Sequence, residues 1–287
     1  MSSLSTSTLA STPVIGRKKR DVAYLLSLGF LIVVVVAALL APWVAPYAAN
    51  AVDFTAIWQA PGAAHLLGTD QVGQDLFSRL IHGARESLLG PLALLALATV
   101  FGVTIGTVAA WNGGWIDVLL ARITDVMFAF PGLLFVVLVI AVFGKGPATA
   151  IVALALAYAP VIAKFTRSLA LAEMARPYVD AYRVQGVGGF FLCVRYIIPN
   201  LTPPLLGYLV VLFGEGLMSL ATLSFLGFGA QPPSSEWGLM VQEGQSGIIQ
   251  GHIWPTLVPG AAIAAVVVAV NVVGVRLSDR LNSRFER

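Results

Sequence analysis

Charge is scarce in this chain. Asp, Glu, Lys and Arg make up 11% of its 287 residues, against about 25% in soluble domains, so a water-facing coat for a soluble fold of this size is missing. Cysteine occurs once, at Cys193, which excludes an internal disulfide framework and any CxxC-type metal site; a lone thiol of this kind reads as a small buried residue. The three histidines, His65, His82 and His252, form no HExxH pair, and no GxSxG elbow accompanies them, so zinc-hydrolase and serine-hydrolase chemistry lack their parts. A GxxxxGK[ST] phosphate loop is also missing, since Gly144-Lys145-Gly146 has neither the spacing nor the strand context. The net charge of +3 does not gather into a basic face interleaved with aromatics, which argues against nucleic acid as a partner.

What the chain has instead is apolar length. Hydrophobic residues make up 58% and the mean hydropathy is +0.87. A hydrocarbon core of about 30 Å takes about 20 apolar helical residues. Uncharged runs of that order cover Val22 to Ala45, Ser87 to Ala110 and Ile253 to Val275. Val126 to Gly144 and Gly146 to Ala163 are two shorter runs separated by Lys145, which predicts a tight helical hairpin. Leu201 to Leu226, interrupted by Pro203, Pro204 and Glu215, predicts a further crossing. The expectation is an all-α polytopic membrane protein of about six transmembrane helices, a single unit in the lipid bilayer. Basic residues before the first run imitate a secretory signal, but its length exceeds the 7 to 15 residues of a signal h-region, so it reads as a retained anchor over 21–45. The Ser/Thr-rich tail over 1–20 reads as disordered, 46–84 as an external segment, 85–278 as the membrane core and 279–287 as a second tail.

Six crossings put both termini on one side, and the positive-inside rule chooses it. Arg17, Lys18, Lys19, Arg20, Arg122, Lys164, Arg167, Arg176, Arg183, Arg195, Arg276, Arg280, Arg284 and Arg287 fall on that side; Arg79, Arg85 and Lys145 fall on the other. Both termini are therefore expected in the cytosol. Pro46 to Glu86 and Gly227 to His252 then face outward, and the connection over 170–200 is the longest cytosolic one.

In that connection, Pro177 suits the first position of a helix and Gly186 suits its stop. From Phe190, apolar residues at Phe190, Phe191, Val194, Ile197 and Ile198 give one greasy helical face. By pattern alone, these two short helices could be a connector lying on the membrane surface. However, Asp180-Ala181-Tyr182, then Gly186, then Tyr196-Ile197-Ile198-Pro199 resembles the cytosolic signature of ATP-binding-cassette importer permeases, Glu-Ala-Ala, three residues, Gly, nine residues, Ile-x-Leu-Pro. The spacing matches, with Asp180, Tyr182, Tyr196 and Ile198 departing in identity. Leu67-Gly68-Thr69-Asp70, Gly73, Asp75, Ser78-Arg79 and Gly83-Ala84-Arg85 are similar to the external segment of the C-type permeases of dipeptide, oligopeptide and nickel importers, with Gln74 where Arg is usual. Arg122 to Gly132, Leu223 to Gly227, Gln231-Pro232-Pro233, Trp237-Gly238 and Asn271 to Gly274 resemble the same subfamily. A further departure is Leu220, where the family commonly carries Glu; here the glutamate is Glu215.

The resemblance implies a type I importer permease (MetI-like) fold in a bacterial inner membrane, forming half of a path for peptides. Nickel or another small solute is the alternative within the family, and an ATP-independent transporter or channel a more distant one. It implies a second, B-type permease, two cytosolic ATPase subunits that use ATP and Mg, and an extracytoplasmic substrate-binding protein. The chain itself would bind no cofactor and catalyse nothing. The segment carrying Asp180, Ala181, Tyr182, Arg183, Gly186 and Pro199 would dock on the ATPase, with Asp180 and Arg183 either pairing with it or simply solvated. Glu215, an ionisable group within a span, marks a functional site by default: it faces a water-filled path, or pairs with Lys164 or Arg167, or lies nearer a span end than the run suggests. Arg122 and Asp125, three apart, are expected to pair on one helix face. Gly102 and Gly106 form a small-xxx-small pattern for close helix packing. Asp53, Asp70, Asp75, Glu86, Glu236 and Glu243 give the outer loops an acidic character suited to receiving the binding protein.

Overall fold

A computed structural model describes residues 16–282. Among the described residues there is no strand, and the helices run α1 Gly16–Leu39, α2 Ala41–Val44, α3 Leu76–Asn112, α4 Gly114–Ala129, α5 Gly132–Phe143 and α6 Pro147–Met174. They continue with α7 Pro177–Val184, α8 Gly189–Leu192, a π-helical turn Cys193–Ile197, α9 Ile198–Phe225, α10 Trp237–Glu243, α11 Gln245–Ile249 and α12 Trp254–Asn282. Five helical stretches are long and apolar enough to cross a membrane, and the bent pair α4 and α5 brings the number to six if the two halves form one span.

Several boundaries move from the sequence expectation. The first helix starts at Gly16 and ends at Leu39, so the predicted junction between tail and anchor falls inside it; residues 1–15 and 283–287 of the two predicted tails lie outside the described residues. Helix α3 begins about three turns before the predicted run, because Asp75 caps it: Oδ2 accepts the Ser78 N–H at 2.7 Å. The third span is not straight. Its two halves meet at 89°, where Pro131 removes a donor and holds Phe130 extended at φ −89°, ψ 133°. The predicted second connecting helix does not stop either, but runs through the π turn into α9. Its greasy face is divided: Phe190, Phe191 and Val194 are exposed, while Ile197 is buried and Ile198 half-buried.

The core sits where α3, α5, α6 and α9 meet, around Leu94, Ala98, Val136, Ile140, Ala153, Ile162 and Leu223. A Cβ on Gly102 would lie 2.6 Å from the Ile162 Cβ, and one on Gly106 would lie 2.6 Å from the Ala163 carbonyl oxygen. These glycines let the α3 and α6 backbones approach as the small-xxx-small spacing predicts. Helix α12 packs on α9 and α1, and α10 bridges α9 and α12. The bundle thus has one end carrying α7 and an opposite end carrying α10, and the candidate sites are distributed along its length.

Candidate functional site

At the α7 end, Pro177 occupies the first turn of α7 and Arg176 its N-cap. The helix closes as the sequence predicts, with Gly186 at φ +77°. The Gly186 N–H donates to the Arg183 carbonyl at 3.0 Å and the Val187 N–H to the Tyr182 carbonyl at 3.1 Å, the paired bonds of a Schellman stop. One face is anchored. Val179 is fully buried, in a cluster with Ala110, Ala170, Leu192, Cys193, Ile197 and Leu201. Beside it, buried Glu173 accepts from the Tyr178 hydroxyl and from Asn200 Nδ2, both at 2.8 Å, and pairs with Arg176 at 2.9 Å. Burial, and then the bond to Glu173, push the Tyr178 hydroxyl above the ordinary tyrosine range.

The opposite face is free. The Asp180 side chain is 74% exposed, 3.6 Å from half-exposed Arg183, whose guanidinium lies 4.9 Å from the Trp111 ring centre. Ala181, Gly186 and Pro199 are exposed and Tyr182 is half-buried. Tyr182 packs against Tyr196 with ring centres 4.6 Å apart. A Cβ on Gly186 would meet nothing within 4 Å. All six residues singled out in the sequence therefore belong to one small structure, spanning α7 and the first turn of α9.

Midway along the bundle, Glu215 lines a cavity of about 290 Å³ between α5, α6 and α9, with Tyr158 and Ser219. It is exposed. The partners considered for it are engaged elsewhere: Lys164 Nζ is 2.8 Å from Asp125 Oδ1, and Arg167 grips Asp117 at 2.5 Å. The first of these also corrects the predicted Arg122–Asp125 pair, because α6 brings Lys164 across to α4.

At the α10 end, three of the six acidic residues read as a docking face turn out to be internal. Asp70, Asp75 and Glu236 are buried. Arg79, which the sequence offered as a topology marker and as part of the external motif, ties the region together: Nη1 donates to Asp70 at 2.6 Å, Nη2 to Glu243 at 2.8 Å and to the Ser234 carbonyl at 3.2 Å. His65 Nδ1 lies 3.0 Å from Asp75 Oδ1, Trp58 stacks on His252, and Trp237 donates to the Leu80 carbonyl at 2.9 Å. Glu236 caps α10 by accepting the Leu239 N–H at 2.9 Å. Burial pushes its carboxyl above the usual range, against the pull of the Gly238 and Leu239 N–H groups. Asp53 and Glu86 remain exposed. The Asp53 carboxyl is held below its usual range by the Thr55 hydroxyl and N–H.

Residues 102–287 match the family described as binding-protein-dependent transport system inner membrane component, and residues 17–61 match the N-terminal transmembrane domain of oligopeptide transport permease C. The chain belongs to this permease family. The permease is 36% identical to the di/tripeptide transport system permease of Pseudomonas aeruginosa, over 90% of its own length and 86% of that protein. It is 34% identical to the glutathione transport system permease of Pectobacterium atrosepticum, over 90% and 85% of the two chains. Its fold is similar to that of a chain in the inward-facing MetNI methionine ABC transporter, with a TM-score of 0.59 at 19% identity, over 72% of this chain and 97% of that one. This is therefore a multi-pass transport subunit of a bacterial inner membrane. Its family works in general with a further permease, an ATPase and a binding protein.

Proposed function

We propose that this permease forms one half of a translocation path for di- or oligopeptides, delivered by an extracytoplasmic binding protein and driven by ATP hydrolysis in two partner subunits. The other half is a B-type permease. Both termini and α7 face the cytosol in this reading, the partner ATPases hold ATP and Mg, and this chain holds no cofactor. The observation that carries the coupling is the geometry of α7. A short helix is fixed on one face by Val179 and the Glu173 bonds and free on the other, where Asp180, Ala181, Arg183 and Gly186 are exposed. Movement of a docked ATPase would pass to α6 and α9, which flank α7 in the chain and share its buried cluster. The relatives' names support peptides as the solute, and Glu215 is the group placed along the path.

Two variants of one glycine test the coupling. Gly186→Ala and Gly186→Trp share the strain of a side chain at positive φ, about 1–2 kcal/mol, and differ only in bulk directed into open space. Both are expected to insert and to retain co-purified ATPases, with Gly186→Ala transporting a dipeptide and Gly186→Trp hydrolysing ATP without transport. Normal transport by Gly186→Trp at equal expression would overturn the docking role. Purification of the wild-type complex without any ATPase would overturn the importer reading itself.

A further inference from the structure

Glu215 lies ten positions before the end of α9 at Phe225, a rise of about 15 Å, which is half of a hydrocarbon core of about 30 Å. A carboxyl group at that depth is costly against lipid and is kept where it meets water, a partner or a solute. Among the described residues Glu215 makes no hydrogen bond or ion pair, and the two cations on the nearest stretch of α6 already belong to Asp125 and Asp117. The cavity it lines offers two further polar groups, the Tyr158 and Ser219 hydroxyls, 3.1 Å from one another. The remaining wall is apolar, with Leu133, Leu154 and Leu212.

That set selects a chemistry. A carboxylate only accepts hydrogen bonds, and hydroxyl oxygens accept as well as donate, so three groups able to accept line one cavity that holds no cationic side chain among its lining residues. Their complement is a compact group with several N–H donors and a positive charge. A peptide amino terminus, with a pKa of about 8, carries three such donors at neutral pH. The volume of about 290 Å³ is at the small end for ligand pockets, which suits the first residue of a peptide better than the whole of one, and the apolar wall would receive its side chain. We propose that Glu215, Tyr158 and Ser219 form a subsite for the protonated amino terminus of a peptide in transit. This rests on the reading of Glu215 as part of the path.

The complete importer, reconstituted in vesicles with its own binding protein, distinguishes the two levels. Uptake of Ala-Ala and of N-acetyl-Ala-Ala is measured for the wild type and for Glu215→Gln; comparing the variants peptide by peptide cancels the preference of the binding protein. Glu215→Gln is expected to lower uptake of the free-amine peptide about tenfold, the effect of losing one charge-assisted hydrogen bond, and to leave the acetylated peptide unchanged. In parallel, a water-soluble diazo reagent that esterifies carboxyl groups with loss of nitrogen is applied in excess to the wild-type complex and modification of Glu215 is read by mass spectrometry, with Ala-Ala protecting and N-acetyl-Ala-Ala not protecting. Where the acetylated peptide is not taken up at all, this protection decides. Modification with equal protection by both peptides, or an equal fall in both uptakes, would overturn the amine subsite and leave the path. Resistance of Glu215 to the reagent would instead show it sealed, as by a basic side chain of the second permease, and would overturn both.

Discussion

Arg79 is the residue on which the α10 end depends, and Arg79→Met tests that dependence. The substitution keeps most of the apolar stem and removes the guanidinium that joins α3 to Asp70, Glu243 and the Ser234 carbonyl. The Arg79 and Asp70 side chains are each 4% exposed, so Asp70 would be left as an unpaired buried acid, at a cost of about 3–5 kcal/mol. Because α3 is held independently along its length by α6, the loss should appear as local opening of the segment before α3. Its backbone bonds include Trp58 N–H to Asp70 O, Thr69 N–H to Gln59 O and Asp70 N–H to Gln74 O. Even the lower figure corresponds to more than a hundredfold in the opening equilibrium. Hydrogen exchange of peptides covering 56–76 in the purified protein should accelerate by that order, while those from α6 stay unchanged. Adding Asp70→Asn to Arg79→Met should recover part of the protection, since the stranded acid is gone. Exchange within about threefold of wild type in Arg79→Met would refute the reasoning.

Helix packing gives a second test: Gly106→Val drives a Cβ toward the Ala163 carbonyl oxygen at 2.6 Å and the Arg167 nitrogen at 2.9 Å. It should destabilise by about 1–3 kcal/mol, whereas Gly29→Val on α1, with nothing within 4 Å, should be neutral. Cys193 is buried, so its labelling by a thiol-reactive dye on heating reports both. A third concerns Glu236, whose folded-state pKa is raised by burial. A raised carboxyl binds its proton more tightly when folded, so its contribution is fully present below about pH 4 and is lost as pH rises through the folded value, with a slope of at most about 1.4 kcal/mol per pH unit. Protection of the α10 amides should decline over that range in the wild type, and Glu236→Gln should abolish the decline.

The sequence made the membrane-spanning order legible because a span is a local property: an uncharged run either has the length or lacks it. Capping is local too, which is why Pro177 and Gly186 located α7 correctly. The bend at Pro131 was missed because hydropathy carries length without direction, although Pro after Phe130 was the available signal. The early start of α3 was hidden by Arg79 and Arg85, charges that shortened the apparent run, while the Asp75 cap three residues before Ser78 offered the correcting clue. Asp70, Asp75 and Glu236 left the outer acidic face for a different reason. Asp70 accepts the Val72 and Gln74 N–H groups at 2.9 Å, a turn that local sequence can suggest, but its charge is neutralised by a residue that also reaches Glu243, 164 positions away. No run or spacing encodes that meeting. The same limit applies to Glu215, which the sequence marked as an isolated charge while leaving Lys164 and Arg167 open as partners. Only the packing of α4 against α6, which assigns Asp125 to the one and Asp117 to the other, removes both. The proposal for Glu215 therefore starts from accounting for the nearby charges first: with Lys164 and Arg167 assigned elsewhere, neither cation of α6 is left to neutralise it.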